Sequence, residues 1–291
     1  MELRQLKYFI RTAEVLNFTE AANDLFISQS TLSQQIKQLE EELDILLFDR
    51  VGKKIRLTEA GSLFLTYARQ ALQDTKDGKQ IIEDLKELKT GSLNIGVTYG
   101  LSALLTDTIV SFSKRYPQIK ITVDFGTSED LLEKLKIAKI DFVLSFLQLP
   151  ADDAFLSQVL FDSKLALVVH PSHPVAKEKT IDVKELQNIC LALPAKGFNT
   201  RDFLEGAFTK NNISPSVKVE LNDINMLLQL VETGNWCTVL TMASVKGRSN
   251  LKTIPITGID IIRQASITWF KDVYRKKAAN AFTEMIQSQI Y

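Results

Sequence analysis

Residues 18–48, FTEAANDLFISQSTLSQQIKQLEEELDILLF, read as two short helices joined by a tight polar turn. Ala21, Ala22 and Leu25 place small and apolar side chains on one face of the first helix. Ile27-Ser28 breaks the pattern, and Ser28 is a good N-cap for a second helix. In that helix Leu32, Ile36 and Leu39 recur at spacings of four and three, a buried stripe. The opposite face carries Gln29, Ser30, Ser33, Gln34 and Lys37, donors and acceptors suited to base edges and phosphates, with Thr31 beside them. This is helix-turn-helix grammar, with the first turns of the second helix aimed at a DNA major groove. A helical hairpin whose polar face meets only water has the same period, so the flanking residues must decide.

Upstream, Leu6, Phe9, Ile10, Ala13 and Leu16 form an amphipathic helix that completes a three-helix core. Downstream, residues 47–50 (LFDR) and 55–58 (IRLT) flank Val51-Gly52-Lys53-Lys54, a hairpin wing with a basic tip. Thr58-Glu59-Ala60-Gly61 then opens a long helix. Together these features resemble the LysR-type family of bacterial transcriptional regulators. The matching positions are Leu6, Phe9, Phe18, Ala21-Ala22, Leu25, Ser28-Gln29, Ser33, Ile36, Leu39-Glu40, Leu43, Leu47-Phe48, Arg50 and residues 57–61. Two positions depart from the family pattern: Ser30 stands where proline is usual, at the first helical position by this reading, and Asp44 where glycine is usual.

The resemblance implies a winged helix-turn-helix domain over 1–58 and a linker and dimerisation helix with hinge over 59–90. It further implies a two-lobed effector domain of α/β class, like a periplasmic solute-binding protein. Lobe I would hold 91–161 and 266–291, and lobe II 162–265. DNA contacts are expected at Ser28, Gln29, Ser30, Thr31, Ser33, Gln34, Lys37, Arg50, Lys53 and Lys54. Operator DNA and a small effector are the expected partners, RNA polymerase is an allowed one, and no cofactor is expected.

Composition fits an ordinary intracellular protein: 291 residues, 45% hydrophobic, formal charge zero, and no apolar run of membrane-spanning length or signal-peptide type. Residues 1–58 hold eight Lys/Arg and nine Asp/Glu, so the DNA-binding segment is not basic overall. Placement matters more. The acids gather at residues 40–42 and Asp44, and Lys53, Lys54 and Arg56 gather in the wing. A single copy should bind weakly, which makes a dimer close to necessary. Phe64, Ala68, Ala71, Thr75, Gly78, Ile82 and Leu85 recur at alternating spacings of four and three, a coiled-coil seam for a homodimer that could assemble further to a tetramer. The alternative is a helix packed on its own domain.

From Leu93 the period changes. Apolar runs at 93–97, 119–125, 140–146, 165–170, 189–193, 217–221, 236–241 and 265–270 alternate with helical stretches, which predicts a parallel α/β sheet. Ala138-Lys139 and Asn235-Trp236 replace glycines usual in the family. The default ligand site is a cleft at the carboxyl ends of such strands. Hydroxyls and amides sit at these junctions: Thr98, Tyr99 and Ser102; Thr127 and Ser128; Asn199 and Thr200; and Asn222. Phe146, Lys196, Phe198 and Arg201 complete the expected effector site, Lys196 and Arg201 as positive charge at its rim. Converging helix N-termini favour a small anion. Residues 193–201 (LPAKGFNTR) also resemble the LysR subgroup that includes cyanate-responsive regulators. Binding would shift the lobe angle, and with it the spacing of recognition helices in the oligomer.

Other classes explain less. A solute-binding protein of the same two-lobed fold leaves the helix-turn-helix without a role. An α/β enzyme lacks a nucleophile elbow, a phosphate loop or paired carboxylates. His170 and His173 lie in a proline-broken loop with no third metal ligand nearby in sequence. A thiol-based redox regulator needs Cys190 and Cys237 close and reactive, whereas both sit in apolar strands where free Cys packs as a small hydrophobe.

Overall fold

The computed structural model describes residues 1–51, 54–84, 90–146, 153–271 and 273–290, with the backbone alone at 50, 51, 54, 80, 83 and 84. The chain forms two compact units, Met1–Leu85 and Lys86–Tyr291.

In the first unit, α1 (Leu3–Val15), α2 (Phe18–Asp24) and α3 (Gln29–Leu43) precede strands β1 (Phe48–Val51) and β2 (Lys54–Leu57) and the long α4 (Glu59–Asp84). Asn17 Oδ1 starts α2 by accepting from the amides of Thr19 and Glu20, and Ser28 Oγ starts α3 by accepting from Thr31 N at 3.1 Å. Leu32, Ile36 and Leu39 are fully buried with Phe9, each contributing roughly 1.5–3 kcal/mol of apolar burial. Phe9 lies 5.4 Å from Phe48 and 5.3 Å from Phe64, tying the wing and α4 to the same core. Glu40 Oε1 accepts from Leu47 N and Phe48 N, so the far end of α3 holds the start of β1. Thr58 Oγ1 donates to Leu46 O and accepts from Gly61 N. A Cβ on Gly61 would stand 2.1 Å from Leu47 O, so glycine is required where α4 passes the backbone just before β1.

Two readings change here. Ser30 is the second residue of α3 rather than the first, because Ser28 is the cap and Gln29 follows it. Ala68 is buried, and Phe64 and Ala71 pack against the same core, so these three seam positions serve their own unit. Thr75, Gly78 and Ile82 are exposed, and Leu85 lies outside the described residues.

The second unit begins with β3 (Gly91–Val97), α5 (Ser102–Arg115), β4 (Ile119–Phe125), α6 (Ser128–Lys136) and β5 (Phe142–Ser145). Here β3 pairs in parallel with both β4 and β5, as the alternation of strand and helix requires. Strand β6 (Phe155–Val169) follows, then β7 (Ile181–Asp182), β8 (Cys190–Pro194), α7 (Asn199–Lys210), β9 (Ser216–Leu221), α8 (Ile224–Glu232), β10 (Thr238–Thr241), β11 (Lys252–Thr257), β12 (Ile262–Phe270) and α9 (Lys277–Ser288). The sheet is mixed rather than all parallel. β12 runs antiparallel to β5 and β6, and β10 and β11 run antiparallel to β6. β8 and β9 pair in parallel, and Leu191 bridges to Cys237.

Two cores lie along this sheet. The first gathers Leu93, Ile95, Phe112, Phe142, Ile267 and Phe282, and the second Leu165, Leu167, Leu191, Leu193, Leu204 and Val239. β6 supplies Leu160 to the first and Leu165, Leu167 and Val169 to the second. The pairing of β6 with β12 slips between Ala265 and Ser266, a bulge beside the change of core.

Candidate functional site

The exposed face of α3 is built by the same periodicity that buries Leu32, Ile36 and Leu39. Ser28, Gln29, Ser30, Thr31, Gln34 and Lys37 are exposed, and Ser33 is half-buried. Their side chains are tied locally: Gln29 Nε2 donates to Ser33 Oγ at 3.2 Å, and Ser28 Oγ lies 2.9 Å from Ser30 Oγ and 2.7 Å from Thr31 Oγ1. Lys37 Nζ stands 3.5 Å from Glu41 on the next turn, a solvated pair that exchanges readily with another anion. In the wing, β1 and β2 pair antiparallel with Arg50 opposite Ile55 and Val51 opposite Lys54. Lys53 lies outside the described residues, and of Arg50 and Lys54 only the backbone is described.

The second unit carries a partly open cavity of about 40 Å³, lined by Thr98, Tyr99, Gly100, Gly126, Thr127, Ser128, Phe146, Pro194, Phe198, Asn199, Thr200, Ile224, Leu240 and Ser244. These come from the ends of β3, β4, β5, β8 and β10 and from the first turns of α6, α7 and α8. Thr127 Oγ1 caps α6 by accepting from Asp130 N at 3.2 Å, whereas α7 begins at Phe198-Asn199 without a side-chain cap. Asn199 Nδ2 donates to Ser128 Oγ, and Tyr99 stacks on Phe125 and leans towards Phe198. Thr98 Oγ1 is buried and has no hydrogen-bond partner among the described residues. A Cβ on Gly100 would meet the Phe146 ring and Ser244 Oγ at 3.0 Å, so glycine allows this close wall. Among the described residues no charged side chain lines the cavity.

The structure brings eight of the expected effector residues into this lining: Thr98, Tyr99, Thr127, Ser128, Phe146, Phe198, Asn199 and Thr200. Four stand apart from it. Arg201 is only 3% exposed and is consumed internally, donating to Glu205, to Glu220 at 2.8 Å and to Pro194 O. Burial opposes its charge, but the bonds to Glu205 and Glu220 outweigh that and hold its pKa above the ordinary value. It is therefore no rim cation. Lys196 and Asn222 are exposed and outside the lining, and Asp223 rather than Asn222 caps α8. Ser102 continues into α5 behind Gly100, with its carbonyl taken by Thr106.

Sequence reasoning missed Gly100, Gly126, Pro194, Ile224, Leu240 and Ser244, which carry no polar pattern of their own apart from the Ser244–Thr241 hydroxyl pair at 2.7 Å. It also missed Arg263. This buried guanidinium donates to Phe146 O at 3.0 Å and lies 4.7 Å over the Phe203 ring, bracing the backbone behind the cavity. Burial lowers its pKa, and Asp260 opposes that.

Cys190 is exposed, not packed as expected, because it is the first residue of β8. Cys237 is buried with Sγ 3.5 Å from His173 Nε2. Burial, with a smaller push from Cys190, drives its thiol up to about 12, far from the thiolate that reactive cysteines need.

Residues 3–62 match the model of the bacterial regulatory helix-turn-helix protein, lysR family, and residues 86–290 match that of the LysR substrate binding domain. The chain belongs to the LysR family. The HTH-type transcriptional regulator BsdA of Bacillus subtilis (strain 168) is 31% identical over 290 residues, covering 98% of this chain and 100% of that one. The HTH-type transcriptional activator CmpR of Synechocystis sp. (strain ATCC 27184 / PCC 6803 / Kazusa) is 30% identical over 244 residues, covering 84% and 80%. Among solved structures, a full-length OxyR variant from Pseudomonas aeruginosa superposes with a TM-score of 0.75 at 24% identity, covering 99% and 95%. Full-length CbnR complexed with its target DNA superposes at 0.67 and 24% identity, covering 99% of each chain. This LysR-family chain is thus a DNA-binding transcriptional regulator with an effector-binding domain, not an enzyme. No helix among its described residues is long and apolar enough to cross a membrane.

Proposed function

We propose that this regulator senses a small anion held in the cavity between two lobes of its second unit, lobe I being 91–161 with 266–291 and lobe II 162–265. The observation that carries the reading is Thr98 Oγ1, a buried hydroxyl with no partner on the wall of a cavity flanked by the N-termini of α6 and α7. An unpaired buried hydroxyl costs free energy unless something fills the space and bonds to it. Helix N-termini favour negative charge there. The volume of about 40 Å³ holds about three waters, or an anion of a few heavy atoms. The likeness of residues 193–201 to the cyanate-responsive subgroup supports the same class.

On the DNA side, Gln29 and Ser33 read base edges, while Lys37, Arg50, Lys53 and Lys54 meet phosphates, at an operator in the cytoplasm. The exposed apolar side chains of α4, Leu63, Tyr67, Ile81 and Ile82, supply the homodimer contact in place of the three seam positions spent on the core. A tetramer and RNA polymerase contact extend that assembly.

The test is thermal shift of the full chain with formate, nitrate, bicarbonate, cyanate and sulfate, followed by DNase footprinting with any anion that stabilises. Thr98→Val combined with Thr200→Val should abolish both responses and leave basal DNA binding intact. An unchanged ligand-dependent footprint in that double variant would remove the cavity as the sensor.

A further inference from the structure

Among the described residues of the first unit, Leu16 and Phe26 combine a left-handed backbone with an exposed apolar side chain, and Phe26 is much the more exposed. It sits between α2 and α3 at 95% exposure with φ at +55°, in the left-handed region. That backbone is required locally, because Phe26 N donates to Asn23 O and Ile27 N to Ala22 O to close the end of α2. Glycine or asparagine suits such a position, and a bulky side chain is disfavoured there. Leu25 and Ile27 on either side pack into the core, which leaves the Phe26 ring in solvent. The position therefore carries an unfavourable backbone and an unfavourable exposed ring at once.

Its location says what covers the ring. The N-terminal end of a recognition helix enters the groove. Phe26 stands two residues before the cap Ser28 and so shares that end with Gln29 and Ser30. The exposed side chains there are small hydroxyls and an amide, already bonded to one another. Phe26 is the large apolar group among them. In the major groove the apolar feature of a base edge is the thymine C5-methyl group.

We infer that Phe26 is a specificity-determining residue that packs on a thymine methyl of the operator at the mouth of the major groove. This rests on α3 being the groove helix, so the test includes a control for that reading. Duplexes are first selected from a random library with the full-length wild-type protein. Affinities of wild type, Phe26→Asn and Gln29→Ala are then measured on the selected duplex, on copies with each thymine replaced in turn by deoxyuracil, and on random duplex.

Phe26→Asn should fold with a raised thermal midpoint and bind the selected duplex about fivefold more weakly. On random duplex it should match wild type. One deoxyuracil position should weaken wild type by a similar factor and leave Phe26→Asn unaffected. Wild-type affinity for the selected duplex in Phe26→Asn, equal weakening on selected and random DNA, or no deoxyuracil position that separates the two proteins would each overturn the inference. If Gln29→Ala also retains full specificity, α3 is not the reading helix. If Gln29→Ala loses specificity and Phe26→Asn does not, only the role of Phe26 falls.

Discussion

Asn199 Nδ2 lies 2.6 Å from Ser128 Oγ, joining the first turn of α7 to the first turn of α6 across the cavity. Each residue lines the space that a ligand would occupy, so the bond both closes the cavity and competes with any ligand for the same two groups. A bond of this kind contributes about 0.5–1.5 kcal/mol net. Asn199→Ala should therefore leave global stability nearly unchanged while increasing hydrogen exchange at residues 98–101, 127–131 and 198–203. Exchange measured by mass spectrometry with unchanged protection in those segments would show that other contacts hold the cavity shut.

Thr98→Val should stabilise the ligand-free protein. The substitution keeps the shape of the side chain and removes a buried hydroxyl that has no partner. Leaving such a group unpaired costs about 1–3 kcal/mol, so a gain near the low end is expected in urea unfolding of the second unit. No gain would mean that the hydroxyl is already bonded in solution, for instance to an ordered water.

Two of the places where glycine is usual in LysR-type sequences, Asp44 and Ala138 of the Ala138-Lys139 pair, have φ of +51°. Asp44 ends α3, and Ala138 follows α6, where Ala138 N donates to Leu135 O and Lys139 N to Lys134 O. Glycine adopts this backbone without strain, whereas a residue with a Cβ gives up about 1–2 kcal/mol there, less for Asp. Asp44→Gly should raise the stability of the first unit and Ala138→Gly that of the second, the latter by about 1 kcal/mol. Unfolding followed separately in each unit checks this, and a shift in the wrong unit or none at all would contradict it.

Alkaline pH should act through Cys237. Its folded pKa of about 12 lies above the ordinary 9.0, so between those values the native state holds a proton that the unfolded state has lost. Stability from this group is complete below about pH 9 and is lost as pH rises towards 12. Cys237→Ala should show a shallower fall across that window in denaturant titrations. At neutral pH iodoacetamide should label the exposed Cys190 in the native protein and Cys237 only after unfolding.

The first unit was legible because its signals are local: a cap at Ser28, a stripe at Leu32, Ile36 and Leu39, and Thr58 with Gly61 where α4 starts. The strand-to-helix junctions were equally readable, since Thr98, Thr127 and Asn199 announce themselves as hydroxyls and amides beside apolar runs. What escaped was non-local. The first part of β6, FLSQVLFDSK, is mostly exposed or half-buried with only a short apolar run at 159–161, and it becomes a strand only by pairing with β12 about a hundred residues later. Arg201 looked like a free cation because Glu220, which binds it, arrives from β9. The apolar lining at Ile224 and Leu240 resembles any core, and only the fold turns it towards the cavity.

The sharing of β6 between two cores, the first of which is closed only by β12 and α9, sets an order for synthesis. Leu93, Ile95, Phe112 and Phe142 leave the ribosome early, yet Ala265, Ile267, Trp269, Phe282 and Ile286 of the same core come near the end. The second core, from Leu165 to Ile256, is complete before any of those five emerges. The nascent chain must therefore carry an unfinished apolar surface through most of its translation, exposed to aggregation in the meantime. A message that stopped before residue 262 would yield an intact DNA-binding unit attached to a half-built sensor.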